Sequence, residues 1–190
     1  MKKYELTSET KMVCGITLHR IRALVDIVRY GVKAGDLGGW IESEANLDQE
    51  HDAWVSDEAL VYGKARVSGE ARVFGDARVY DEAWVFGKAL VSGKALVSGK
   101  ARVYDEARVY KTAHVLTVGP IGSRDDTTTF FRVKFSDGFT ISVCCGCFHG
   151  TVDEFRAKVK QTHGDDKHGK AYQLAADLAE AQIELDVEAQ

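Results

Sequence analysis

At 190 residues, with 45% apolar residues and a formal net charge of −4, the chain has room for one elongated domain with small caps and not for a second large core. The mild charge offers no footprint for nucleic acid, no apolar run approaches membrane-spanning length, and Lys2-Lys3 leads into polar YELTSE rather than a signal-peptide core. Four cysteines, three of them at Cys144, Cys145 and Cys147, do not suit a secreted disulfide framework, so a soluble, cytoplasmic protein is expected.

Residues 1–38 are expected to form an N-terminal cap. KYEL and MVCGITLHRIRALV have the apolar and β-branched content of strands, with Cys14-Gly15 at a hairpin turn. The need for a cap is physical, because the open end of a stack of strands presents unpaired backbone groups and invites end-to-end polymerisation.

From 39 to 121 the chain repeats every six residues. Alanine marks the period from Ala53 to Ala113, valine follows two positions later from Val55 to Val115, and Gly or Asp usually comes two positions after that. A helix of 3.6 residues per turn cannot keep both marks on one face at this period. Ala-x-Val instead describes a short strand with two side chains inward, and Gly or Asp supplies the corner. The hexads resemble those of the left-handed parallel β-helix, the hexapeptide-repeat fold, which implies three hexads per triangular turn and four to five turns here.

On that geometry residues i and i+18 stack, and the positions after Ala form outward ladders: Trp54, Arg72, Leu90, Arg108; Leu60, Arg78, Leu96, His114; and Arg66, Trp84, Arg102. The last should sandwich an indole between two guanidiniums, an interaction of about 0.5–1 kcal/mol at an exposed site. The positions before Ala alternate in sign, as in Glu70, Lys88, Glu106 and Lys64, Glu82, Lys100. Two extra residues between Leu47 and Ala53 predict a corner that bulges outward.

Residues 122–190 are expected to form a small α+β module. TFFRVKFSDGFTISV reads as a hairpin turning at Asp137-Gly138. Thr151-x-x-Glu154 is a capping box for a helix burying Val152, Phe155 and Val159. QTHGDDKHG breaks that helix, and a last one from about Lys170 is expected to bury Leu174, Leu178, Ala181 and Leu185.

Three constellations could carry chemistry. In GPIGSRDDTTT, Ser123, Arg124 and Thr127, Thr128 and Thr129 offer hydroxyls and a guanidinium to a phosphate or carboxylate; the segment serves equally as a polar turn leaving the coil. Cys145 and Cys147 with His163 and His168 are donors of the kind zinc takes, in a spacing that is not a familiar finger and that packing would also explain. His51, in the bulge, and His114, in an outward ladder, are the coil's histidines, and a hexapeptide-type acyltransferase would need one of them. The Arg66, Trp84, Arg102 ladder is the expected interface of a homo-oligomer or with another protein.

Taken together, KKYELT, KAGDLGGWIESE, the hexads, GPIGSRDDTTTFF, CGCFHGTVDEF and VKQTHGDDKH resemble a family of phage and prophage hexapeptide-repeat proteins, and the front half is similar to the bacterial YdcK-like proteins. The resemblance implies a trimer and a small phage-encoded protein in the host cytoplasm, without an activity to carry over. The expected function is a non-enzymatic binding protein, a host-interaction or counter-defence factor. It would bind a host protein or a small anionic ligand such as a nucleotide near Arg124; the alternative is an acyltransferase.

Overall fold

Each Ala-x-Val unit places a two-residue strand on one side of a coil. In the computed structural model, which describes residues 2–136 and 138–186, these strands stack into three parallel ladders. One face holds β4 (Trp54–Val55), β7 (Arg72–Val73), β10 (Leu90–Val91) and β13 (Arg108–Val109); the second holds β5 (Leu60–Val61), β8 (Arg78–Val79) and β11 (Leu96–Val97), following β3 (Leu37–Ile41); the third holds β6 (Arg66–Val67), β9 (Trp84–Val85) and β12 (Arg102–Val103). Arg72 pairs with Leu90 and Leu90 with Arg108, so one turn takes 18 residues, as three hexads require. Mainly β, the molecule is a parallel β-helix of about four turns with an N-terminal β cap and a C-terminal helix-and-sheet module.

The interior is a column of small and branched side chains. Every alanine of the series from Ala53 to Ala107 and every valine from Val55 to Val109 is buried. Burying one valine contributes about 1.5–3 kcal/mol. Leucine in place of Ala83 or Ala89 has no room in this column and should cost about 1–3 kcal/mol; a variant with wild-type thermal stability would contradict the packing.

From Val55 to Val103 the corner falls two residues after the Val, in the left-handed region that favours Gly. Asp57, Asp81 and Asp105 adopt it too, at φ +56°, +59° and +52°. Two of the carboxylates have a use there: Asp57 Oδ2 accepts from Gly75 N at 3.0 Å and Asp81 Oδ2 from Gly99 N at 3.1 Å, one turn further along. Gly93 is needed for a second reason, since a Cβ there would stand 2.5 Å from the Tyr110 carbonyl oxygen.

The cap is the hairpin β1 (Tyr4–Val13) and β2 (Ile16–Ala23), turning at Cys14 and Gly15 with φ +51° and +80°. β2 pairs antiparallel with β3, which extends the second face of the coil and covers its first edge. Trp40 pairs with Leu60 and Leu47 with Val67, a spacing of 20 residues that locates the two-residue insertion. Its backbone is held by Lys3, whose Nζ donates to the His51 carbonyl at 2.6 Å and the Ala53 carbonyl at 2.7 Å; burial lowers that amine to about 8. Asn46 fills the corner beneath, donating to the carbonyls of Gly63 and Ala65.

The cap also overturns two outward assignments. Trp54 is only 1% exposed, packed in the core with Tyr4, Ile21 and Ile27, and Leu60 is buried with Leu18, Trp40 and Tyr62. Both are outward on the bare coil and inward once the hairpin lies over it. His114, at the end of the same ladder as Leu60, is 1% exposed as well. There the chain leaves the hexad through a short 3-10 turn, Thr112–His114, and the imidazole Nδ1 folds back to accept from Tyr110 N at 3.1 Å.

The C-terminal sheet is antiparallel: β14 (Val115–Ile121), β15 (Asp126–Phe135), β16 (Gly138–Cys145) and β17 (Phe148–Thr151). The residues 115–121 thus stand in this sheet and not in the parallel ladders. Of the expected hairpin turn, Gly138 opens β16 and Asp137 lies outside the described residues. One face of the sheet, with Phe131 and Cys144, closes the coil; the other, with Phe130, Ile141 and Val143, carries α1 (Val152–His163) and α2 (Lys167–Gln182).

The α1 capping box forms as expected, and Val152, Phe155 and Val159 are buried. α2 departs from expectation: it starts at Lys167, capped by Asp166, and buries Tyr172, Ala175, Ala176, Ala179 and Ile183. Leu174 (67%), Leu178 (48%) and Leu185 (39%) are exposed, and Ala181 with them. Small alanines let the helix approach the sheet closely, and Tyr172 supplies the bulk by packing edge-on to Phe155 at 5.6 Å. No helix among the described residues is long and apolar enough to cross a membrane.

Candidate functional site

Where the third face of the coil meets the C-terminal sheet there is a cleft of about 310 Å³. The coil contributes Glu82, Trp84, Lys100 and Arg102; the sheet contributes Asp126, Thr127, Thr129, Cys144 and Gly146. The two surfaces are joined at the floor, where Arg102 N donates to Thr129 Oγ1 at 3.1 Å.

Strand alternation sorts the side chains. Thr127 and Thr129 face the cleft, whereas Thr128 is buried on the opposite face and donates to Cys145 Sγ at 3.2 Å. Thr129, Cys144 and His149 are direct cross-strand neighbours. His149 Nδ1 lies 2.8 Å from the Tyr104 hydroxyl, and Tyr104 stacks on Phe86 at 5.1 Å. Phe86 in turn contacts Trp84 at 5.4 Å. This aromatic row corrects the expected sandwich, for among the described residues no guanidinium lies over the Trp84 ring. The ladder register of Arg66, Trp84 and Arg102 holds, but the indole leans onto Phe86, which removes more apolar area from water than a hydrated cation would.

The charges in the cleft are unevenly satisfied. Glu82 pairs with Lys64 at 3.2 Å, and Asp126 Oδ1 accepts from Thr127 N at 2.8 Å. Lys100 and Arg102 make no ion pair among the described residues, although the Arg102 guanidinium lies beside the Cys144 thiol. Burial pushes that thiol up, the guanidinium opposing it, so Cys144 is a neutral polar contact at neutral pH. The other sign ladder forms only in part: Lys88 reaches Glu106 at 3.6 Å, while Glu70 is taken by Arg29.

Ser123 and Arg124 lie elsewhere. With Cys145, Cys147 and His163 they line a second cavity, of about 220 Å³, between the sheet and α1 and α2. Arg124 packs over the β16–β17 turn so closely that a Cβ at Gly146 would come within 2.7 Å of its Nη1. The His168 ring lies 6.0 Å from that of His163, tilted against it, without lining the cavity. No group of three or more His, Cys, Asp or Glu among the described residues is arranged to hold a metal ion. The other coil histidine, His51, is exposed and paired with Asp48 at 2.7 Å, which raises its pKa.

Glu82 and Lys100 were legible from the 18-residue period, which sets them beside Trp84 and Arg102. Cys144, Asp126 and Gly146 were not, because their place depends on how the sheet docks on the coil. No protein-family model matches this chain, and no curated protein matches it.

Proposed function

We propose that this chain is a non-enzymatic binding protein of phage origin, a host-interaction factor that holds a small nucleotide in the cleft between the coil and the C-terminal sheet. The observation that carries this reading is an indole 41% exposed beside two cations without ion-pair partners, with Thr127 on the facing strand. A base stacks on Trp84, which contributes about 1–3 kcal/mol. The phosphate lies on Lys100 and Arg102 and accepts from the Thr127 hydroxyl, each charge-assisted bond contributing about 1.5–3 kcal/mol. The cleft is of the size at which small-ligand pockets begin.

Calorimetry with mononucleotides and nucleotide second messengers tests it. Arg102→Ala should weaken binding at least tenfold with an unchanged Tm, and binding should quench tryptophan fluorescence through Trp84, since Trp40 and Trp54 are buried. If no nucleotide binds at millimolar concentration, the reading fails. A host protein captured by wild type and lost with Trp84→Ala would put a protein on the ladder instead, and sedimentation would report the expected trimer assembled on that surface. Acyl transfer would need His51 or His114; the burial of His114 and its bond from Tyr110 N weigh against it as an accessible base.

A further inference from the structure

We propose that the second cavity is a binding site for a small amphipathic acid, an aromatic or branched aliphatic carboxylate, separate from the nucleotide cleft. Its floor is aromatic and fixed: Phe155 contacts Phe148 at 5.5 Å and Tyr172 at 5.6 Å. Its rim carries Arg124, Lys158 and His163, and no Asp or Glu among the described residues lines it. The two cations among them, Arg124 and Lys158, have little to satisfy them. Arg124 makes no ion pair among the described residues, Lys158 reaches only the Gln161 amide oxygen at 3.1 Å, and His163 Nδ1 stands 3.9 Å from Asp166.

Arg124 lines this cavity, and its guanidinium lies against the turn at Gly146, which also borders the first cleft. An inorganic anion would satisfy the rim and leave the rings wet, and a neutral arene would do the reverse. A carboxylate on an apolar body meets both, and at about 220 Å³, below the range of drug-sized pockets, the cavity limits that body to one or two rings.

The intact chain is titrated calorimetrically with 2-naphthoate, with 2-naphthamide and inorganic phosphate as comparisons. One naphthoate per chain is expected, weakened at least tenfold by Arg124→Ala and within twofold of wild type for Trp84→Ala. Lys158→Ala, on the exposed side of α1, repeats the test away from the turn. Naphthoate should also slow alkylation of Cys147 by iodoacetamide at least fivefold, as located by mass spectrometry. The proposal is overturned by absence of binding at millimolar naphthoate or by equal binding of naphthamide or of phosphate. Loss of binding with Trp84→Ala and not with Arg124→Ala would also overturn it, by moving the acid to the first cleft.

Discussion

Trp54→Ala is expected to lower the unfolding free energy by about 3–5 kcal/mol, while Trp84→Ala, thirty positions along the same repeat, should lower it by only about 1 kcal/mol, for its contact with Phe86. The two tryptophans occupy equivalent places in the hexad, each directly after the inward Ala. They differ in what lies above them. Trp54 is enclosed by the cap, so closely that a Cβ at Gly38 would approach its ring to 2.7 Å. Removing the indole leaves a cavity that Ala53 and Val55, fixed in the parallel ladder, cannot collapse to fill. Urea denaturation of both variants, with the slope compared to wild type, checks the pair. Similar losses at the two positions would mean that the cap does not cover the first turns as described.

Arg132→Leu is the second large effect, expected at about 3 kcal/mol or more, with loss of nucleotide binding. The guanidinium is fully buried at the seam between the coil and the C-terminal module. Its Nε donates to the Arg108 carbonyl on the last rung, and its Nη1 donates to the Asp186 carbonyl beyond α2, both at 3.0 Å. It also lies over the Phe139 ring at 4.1 Å and the Tyr110 ring at 5.0 Å. Hydrogen bonds from a charged donor contribute about 1.5–3 kcal/mol each, and the leucine leaves both carbonyls unsatisfied. Arg132→Lys should recover only part of this, because an ammonium cannot reproduce the planar fork. Since the cleft exists only while the sheet stays docked on the coil, hydrogen exchange in 126–131 should rise together with the loss of binding. Stability lost without any change in binding would separate the seam from the site.

Two of the corrections share a cause. For His114 and the leucines of α2 the sequence reading extends a local period too far: the hexad past its end in one case, a 3.6-residue stripe of large apolar residues in the other. In α2 the face that docks is the one lined by Ala175, Ala176 and Ala179, because a close approach to the sheet buries more backbone and ring area than a leucine face held further away. Size alone is a poor guide to the buried side of a short helix when a small-residue face is available beside it.

What the sequence by itself determined is the coil: the six-residue period, the inward Ala and Val, the corners at Gly and Asp, the two-residue insertion and the capping box of α1. Each is a local rule repeated or spelled out within a few residues, so the backbone has one way to satisfy it. Only the tertiary structure decided which outward residues are covered and which are left to act. Trp54 and Trp84 read alike until the hairpin lies over one of them, and Thr127, Thr128 and Thr129 read as one motif until strand alternation and the docking of the sheet send two to Trp84 and Arg102 and the third toward Cys145. The physical reason is that a repeat makes its rungs locally equivalent, and contacts between segments far apart in sequence are what make them different.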